Sequence, residues 1–500
     1  MPATAYQQLV TIFTRLYRYE HLAAMVGWDQ AVMMPPEGNE ARGAAMAELD
    51  VLMHRTLTDA ALAELLTAAS REPLSDAEQV SLREMQRQWQ LANLLPASLI
   101  EAKTLAGSKC SHAWRTQRAN NDWDGFLANF RAVVSLAREE GILLSHQTGL
   151  SPYESLLNKY EPGMTCAELD RIFADVKSWL PALIQQAMAQ QATETRITAA
   201  GPFAIEAQRA LGVEVMALLG FNFAAGRLDV SHHPFCGGVA EDVRITTRYT
   251  EADFSQSLMG IVHETGHARY EQNLPHATRH LPVGRARSMG IHESQSLAFE
   301  MQLGRNPAFL ALITPLIAQH LGSQAAFTPA NLAQIYTQVQ PDFIRVDADE
   351  LTYPAHVILR YEIERALING EIEPDDVPAL WDQKMQAYLG VDTTGNFKDG
   401  CMQDIHWTDG SFGYFPSYTL GAMYAAQYFA TLQRLYPDLD QRIAEGDLAP
   451  IFTWLNTHIW QQASQLETDQ LIRNATGESL NPVYFRQHLE QRYLAVPSVN

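Results

Sequence analysis

The sequence predicts a mainly α-helical fold with one minor β element. Apolar residues recur at helical spacing through most of the 500 positions, and period-two alternation appears clearly in only one short run. The helical pattern is interrupted at a Pro35, Pro36, Gly38 cluster and at a Gly/aromatic-rich stretch at 394–421.

Near the N-terminus, Leu9, Val10, Phe13, Leu16 and Tyr17 fall on one face of an amphipathic helix. It gives way at the proline pair. Asn39 is then placed to cap a new helix through ARGAAMAELDVLMHRTL. Further helices are expected after Ser75 and around 125–140. Thr165 and Glu168 have the spacing of a capping box that opens CAELDRIFADVKSWLPALIQQAMAQQ. The texture changes near 226. Val243, Ile245 and Thr247 alternate within a run ending at Tyr249, next to a Gly-Gly pair, so a small sheet or hairpin is expected. Helical patterns resume after it.

A chain of this length allows about three domains at roughly 150 residues each. No Gly/Ser-rich or Pro-rich linker, repeat or low-complexity tract divides it, which favours one large domain over 1–500 with room for two lobes beside a groove. The net charge of -21 argues against a nucleic-acid partner, because phosphate binding needs a basic face. Four scattered cysteines without a CxxC pair fit reduced thiols in the cytoplasm rather than a disulfide framework. The first residues read as helix, not signal peptide, and no 18-residue apolar run is present to span a membrane.

The chemistry concentrates in IVHETGHARYEQ. On a helix, His263 and His267 project from one face, a turn apart, and two imidazoles so placed can hold one Zn²⁺. Glu264 is then within reach of a metal-bound water as general base. The bland alternative is two ordinary histidines on a half-exposed helix. Zinc hydrolases usually take a third protein ligand and leave one position for water. Glu271 shares the helix, but three successive turns cannot easily surround one ion. Glu293, in SMGIHESQSLAFE, lies 26 residues past His267, enough for a loop and an antiparallel return helix. His292 competes with it, though a supporting role suits that histidine better. Co²⁺ or Mn²⁺ could substitute for zinc at such a donor set.

Other polar residues sit in otherwise apolar segments: Asp242 and Arg244; Arg345, Asp347, Asp349, Glu350 and Arg360; Asp404, His406, Tyr414 and Tyr418. Each also has a structural reading as ion pair, aromatic core or turn.

These segments together resemble the carboxypeptidase Taq family of metallocarboxypeptidases. The matching residues are HPF at 233–235, DVRIT at 242–246, HETGH at 263–267, HESQ at 292–295, IRVDADE at 344–350, QDIHW at 403–407 and GSFGYFPSYTLG at 410–421, with WDQAVMMPP near the start. The resemblance covers most of the chain, and DVRIT followed by HESQ is more specific than HETGH alone. It implies a helical fold with a deep groove and small sheet, zinc on His263, His267 and Glu293, and Glu264 as general base. It also implies release of single C-terminal residues with broad specificity, C-terminal proline disfavoured, by a cytosolic homodimer.

In the resulting mechanism a zinc-bound water, deprotonated by Glu264, attacks the scissile carbonyl, with His406 and Tyr418 as oxyanion donors. A guanidinium binds a carboxylate bidentately, so Arg345 is the expected anchor for the substrate's terminus, with Arg360 and Arg244 behind it. Pairing of Arg345 with Asp347 or Glu350 is the structural alternative. The 243–249 strand is expected to hold the peptide backbone by edge pairing. An endo-acting zinc oligopeptidase and a helical binding scaffold with a vestigial metal site remain as rivals. An aminopeptidase fits less well, since no GxMEN-like stretch precedes HETGH.

Overall fold

Side-chain caps set many of the helix starts. The Ser75 hydroxyl accepts the Glu78 N–H while the Glu78 carboxylate accepts from Ser75, so the helix Asp76–Leu94 begins where two otherwise unpaired donors are satisfied. In the computed structural model, which describes residues 2–231 and 233–494, helices form nearly the whole fold and a three-stranded sheet is the minor element.

The first helix, Ala5–Val32, buries Tyr6, Leu9, Phe13 and Leu16. These pack with Leu62, Leu66, Leu82 and Met85, and with Leu281 and Val283 from a distant loop. The next helix, Asn39–Leu57, starts at Asn39 itself, with Gly38 in the cap position and no side-chain cap. The expected Asn39 cap is therefore displaced by one residue, because a 3-10 turn at Pro36–Gly38 leads straight into the helix. At Cys166–Gln191 half of the expected capping box forms. Thr165 accepts the Glu168 N–H at 3.2 Å, but the Glu168 carboxylate turns to Arg171 at 2.6 Å instead of back to the cap. A second, much larger core runs from Cys110 to Tyr493 and joins the remaining helices.

The sheet comprises β1 (Gly226–Val230), β2 (Cys236–Val239) and β3 (Asp242–Thr247) in the order β1-β3-β2. β1 runs parallel to β3 and β2 antiparallel. Strand character ends at Thr247, two residues short of the expected Tyr249. Val243 and Ile245, both fully buried, meet Ile261 and Ala268 of the helix Ser255–Gln272. The sheet thus backs the helix that carries HETGH.

That helix is met by the expected return helix, Met289–Leu297, whose start Ser288 caps by accepting the Ile291 N–H at 3.0 Å. The pair runs antiparallel: His263 meets Glu300, while His267 and Glu271 meet His292. Gly266 lets them close. A Cβ there would lie 2.4 Å from the Gln295 carbonyl oxygen and 2.7 Å from the Ser296 Cα. The return helix continues as a π-helix, Ala298–Gly304, a form often found at functional sites.

Candidate metal centre

Two imidazoles and one carboxylate converge between these helices. His263 Nε2 is 3.7 Å from Glu293 Oε1, and His267 Nε2 is 3.4 Å from Glu293 Oε2. One ligand atom from each of the three lies within 4.8 Å of the others. Glu293 is pressed inward from behind, since a Cβ on Gly421 would sit 2.7 Å from its own Cβ.

The far nitrogens of both rings are committed elsewhere. His263 Nδ1 lies 2.9 Å from Glu300 Oε2, and Glu300 accepts from Arg305 at 2.7 Å. His267 Nδ1 lies 2.7 Å from His292 Nδ1, and His292 Nε2 lies 2.9 Å from Glu271 Oε1. A carboxylate can only accept, so Glu271 fixes the proton of His292 on Nε2. Nδ1 of His292 is then the acceptor, and His267 must donate from its own Nδ1. Both HETGH histidines therefore turn Nε2 toward Glu293 with Nδ1 committed elsewhere, the orientation metal ligation requires.

Glu264 is 5 % exposed, and its Oε2 has no hydrogen-bond partner. Burial pushes its carboxyl up to about 7, against the nearby His263. An orphaned carboxylate oxygen beside two imidazoles and an acid is the arrangement a metal with a water would complete. The donor set, nitrogen and oxygen without sulfur, suits Zn²⁺ and also Co²⁺ or Mn²⁺.

The centre opens into a cavity of about 760 Å³. His406 and Tyr418 line it together, with His406 Nε2 3.0 Å from the Tyr418 hydroxyl. Burial, reinforced by Arg345, pushes His406 down to about 3, so its ring is neutral. Tyr353 and Tyr414 complete that wall.

The three expected arginines part company. Arg345 lines the cavity. Its partner is Asp404, at 2.9 and 2.8 Å, not Asp347 or Glu350, and its Nη1 donates to the Tyr353 hydroxyl at 2.6 Å. Glu350 instead accepts from His488, Arg492 and Tyr493 of the C-terminal helix Val483–Leu494. Arg360 is fully buried and does not line the cavity. It donates to the other Asp404 oxygen at 2.6 Å and to the His356 carbonyl. Flanked by both guanidinium groups, Asp404 titrates far below the usual carboxylate range despite its burial. Arg244 also stays outside the cavity. It pairs with Asp242 at 2.8 Å and stacks 4.5 Å from the Trp28 ring.

Edge pairing by β3 is ruled out, because both its edges carry partner strands; β2, with Cys236 on the cavity wall, is the outer strand on that side. Sequence reasoning missed Arg248, a cavity-lining cation just past β3 that is half exposed and reaches Asp347 only at 4.0 Å. It also gave no role to Glu300, which holds His263 Nδ1.

Comparison with known proteins shows the family. Residues 8–493 match the model of the carboxypeptidase Taq (M32) metallopeptidase family. The chain is 36 % identical to thermostable carboxypeptidase 1 of Thermus thermophilus, covering 99 % of each. It is 33 % identical to carboxypeptidase 1 of Bacillus subtilis, covering 97 % of each. Among solved structures, metallocarboxypeptidase 1 of Trypanosoma cruzi superposes with a TM-score of 0.95 at 48 % identity, covering 98 % of this chain and 99 % of that one.

Proposed function

The chain belongs to the carboxypeptidase Taq (M32) family and is a metallocarboxypeptidase; from that premise we propose that it works with one zinc ion held by His263, His267 and Glu293. The carrying observation is that both Nε2 atoms face the Glu293 carboxylate while hydrogen bonds hold both Nδ1 protons away from it. Bound there, zinc would supply Lewis acidity, polarising the scissile carbonyl and acidifying the attacking water.

The remaining work falls to the chain's own groups. Glu264, whose free oxygen faces no protein donor, takes the proton from the attacking water and returns it to the leaving amine. The Tyr418 hydroxyl, held by neutral His406, donates to the developing oxyanion. Arg345 anchors the terminal carboxylate. Each of its three nitrogens already has one partner, which fixes the fork and leaves two of its five N–H groups for substrate. Arg360 acts behind it by holding Asp404. Arg244 serves the sheet rather than the substrate.

Specificity is broad, because the walls mix aromatic, aliphatic and charged side chains. C-terminal proline is disfavoured, since its scissile amide has no N–H and a fixed φ. We place 1–500 as a single catalytic domain, acting in the cytoplasm as a homodimer. Four free cysteines support that compartment, and Leu22 and Leu52 on the first two helices with Met33 just past the first, 57, 45 and 68 % exposed, support a second copy. Among the described residues no helix is long and apolar enough to cross a membrane.

The test is digestion of one peptide with a free C-terminus and its C-terminally amidated twin, followed by mass after zinc loading. Stepwise loss from the free end alone is expected. Internal fragments, or equal cleavage of both peptides, would overturn the exopeptidase reading.

A further inference from the structure

Glu161 lies outside the cavity lining, just past the helix Pro152–Tyr160, and is 2 % exposed. A buried carboxyl must be justified by its partners. Its Oε1 accepts the backbone N–H of Gly290, in the first turn of the helix that carries Glu293. The same oxygen accepts the Ser417 hydroxyl at 2.7 Å, one residue before Tyr418 on the helix Pro416–Leu435. Gly290 is shaped to this contact, because a Cβ there would sit 2.9 Å from Oε1. One oxygen thus joins the element bearing the third ligand to the element bearing the oxyanion donor.

A second buried carboxylate supplies a contrast. Glu364 accepts from Trp407 Nε1 at 2.8 Å, from the Gly413 N–H at 3.1 Å and from the Tyr153 hydroxyl at 3.1 Å. It holds the segment carrying His406, and none of these three partners belongs to the Met289–Leu297 helix.

We infer that Glu161 is a positioning residue that sets Glu293 and Tyr418 in register through Gly290 and Ser417. The inference rests on the zinc reading above. Hydrogen bonds made directly to ligating side chains change metal affinity by about 10–100-fold when lost; Glu161 acts one step further out, through the backbone of the ligand's helix, so the low end of that range is expected.

The experiment measures the zinc dissociation constant by chelator competition, alongside kcat and KM, for the full-length protein. Glu161→Ala is expected to weaken zinc binding at least tenfold and lower kcat, with KM within twofold. Glu161→Gln, whose amide oxygen can accept both bonds, is expected to restore most of both. Ser417→Ala is expected to lower kcat and leave zinc affinity unchanged, as is Glu364→Gln. The inference is overturned if Glu161→Ala binds zinc within twofold of the wild type, or if Glu161→Gln is as impaired as Glu161→Ala. If Glu161→Ala does not fold, Ser417→Ala decides, and wild-type kcat in that variant overturns the inference. A wild-type protein that binds no zinc contradicts the reading of the metal site instead, before any variant is compared.

Discussion

At the scale of single residues, direction matters more than proximity. Glu300 and Glu271 cannot stand in for Glu293: Glu300 takes His263 Nδ1 and Glu271 takes His292 Nε2, and only Glu293 faces the Nε2 atoms of His263 and His267. Glu300→Gln is accordingly expected to weaken zinc binding about 10- to 100-fold in a chelator competition, with the ligands all present. Glu264→Gln should keep zinc and lose roughly 10³-fold or more in kcat. Full activity in that variant would remove Glu264 as the base. Arg345→Ala should harm cleavage of free C-termini far more than binding of amidated analogues, measured as KM against inhibition constant. The convergence of His263, His267 and Glu293 was legible because HETGH and a downstream acid form a local pattern. The arginines were not, since nothing local distinguishes Arg345, Arg360 and Arg244. Asp404, 59 residues past Arg345, pairs with Arg345 and Arg360 alike, and of the three only Arg345 also lines the cavity.

At the scale of elements, the site depends on two helices approaching more closely than side chains normally permit. Gly266 stands in one of the two free positions of HETGH, yet space for a Cβ is lacking there. Gly266→Ala should cost about 1–3 kcal/mol in denaturant unfolding and release zinc more readily, because overpacking must part the helices. Wild-type stability and zinc affinity would show that the helices can yield. The helical pattern, the return helix and the sheet's position could be read from periodicity and turn residues. The order of strands could not. Whether β3 lies at an edge or in the centre depends on β1, five residues whose pairing is non-local. Burial also gives this layer a pH response. Desolvation pushes Glu364 from 4.5 up to about 8 against its three hydrogen bonds. Its folded value lies above its unfolded one, so the proton it carries stabilises the fold fully below about pH 4.5. That contribution is lost as pH rises toward 8. Glu364→Gln should therefore flatten the fall in stability across this window, read from urea midpoints at several pH values.

At the scale of the whole molecule, the N-terminal cluster and the large core meet through the loop between the two metal-site helices, since Leu281 and Val283 pack with Leu9, Phe13 and Leu66. Metal binding should therefore be felt beyond the cavity. A ligand present at 100 times its dissociation constant adds about 2.7 kcal/mol to stability, so chelation should lower Tm and zinc should restore it. The -21 charge argued against a nucleic-acid partner, but nothing in composition located the cavity, which is assembled from segments between 233 and 485. The most direct measurement is anomalous diffraction at the zinc edge from crystals grown with zinc. One peak is expected within about 2.0–2.2 Å of His263 Nε2, His267 Nε2 and a Glu293 oxygen. A peak bound elsewhere, or none between these three residues, would contradict the assignment on which the mechanism stands.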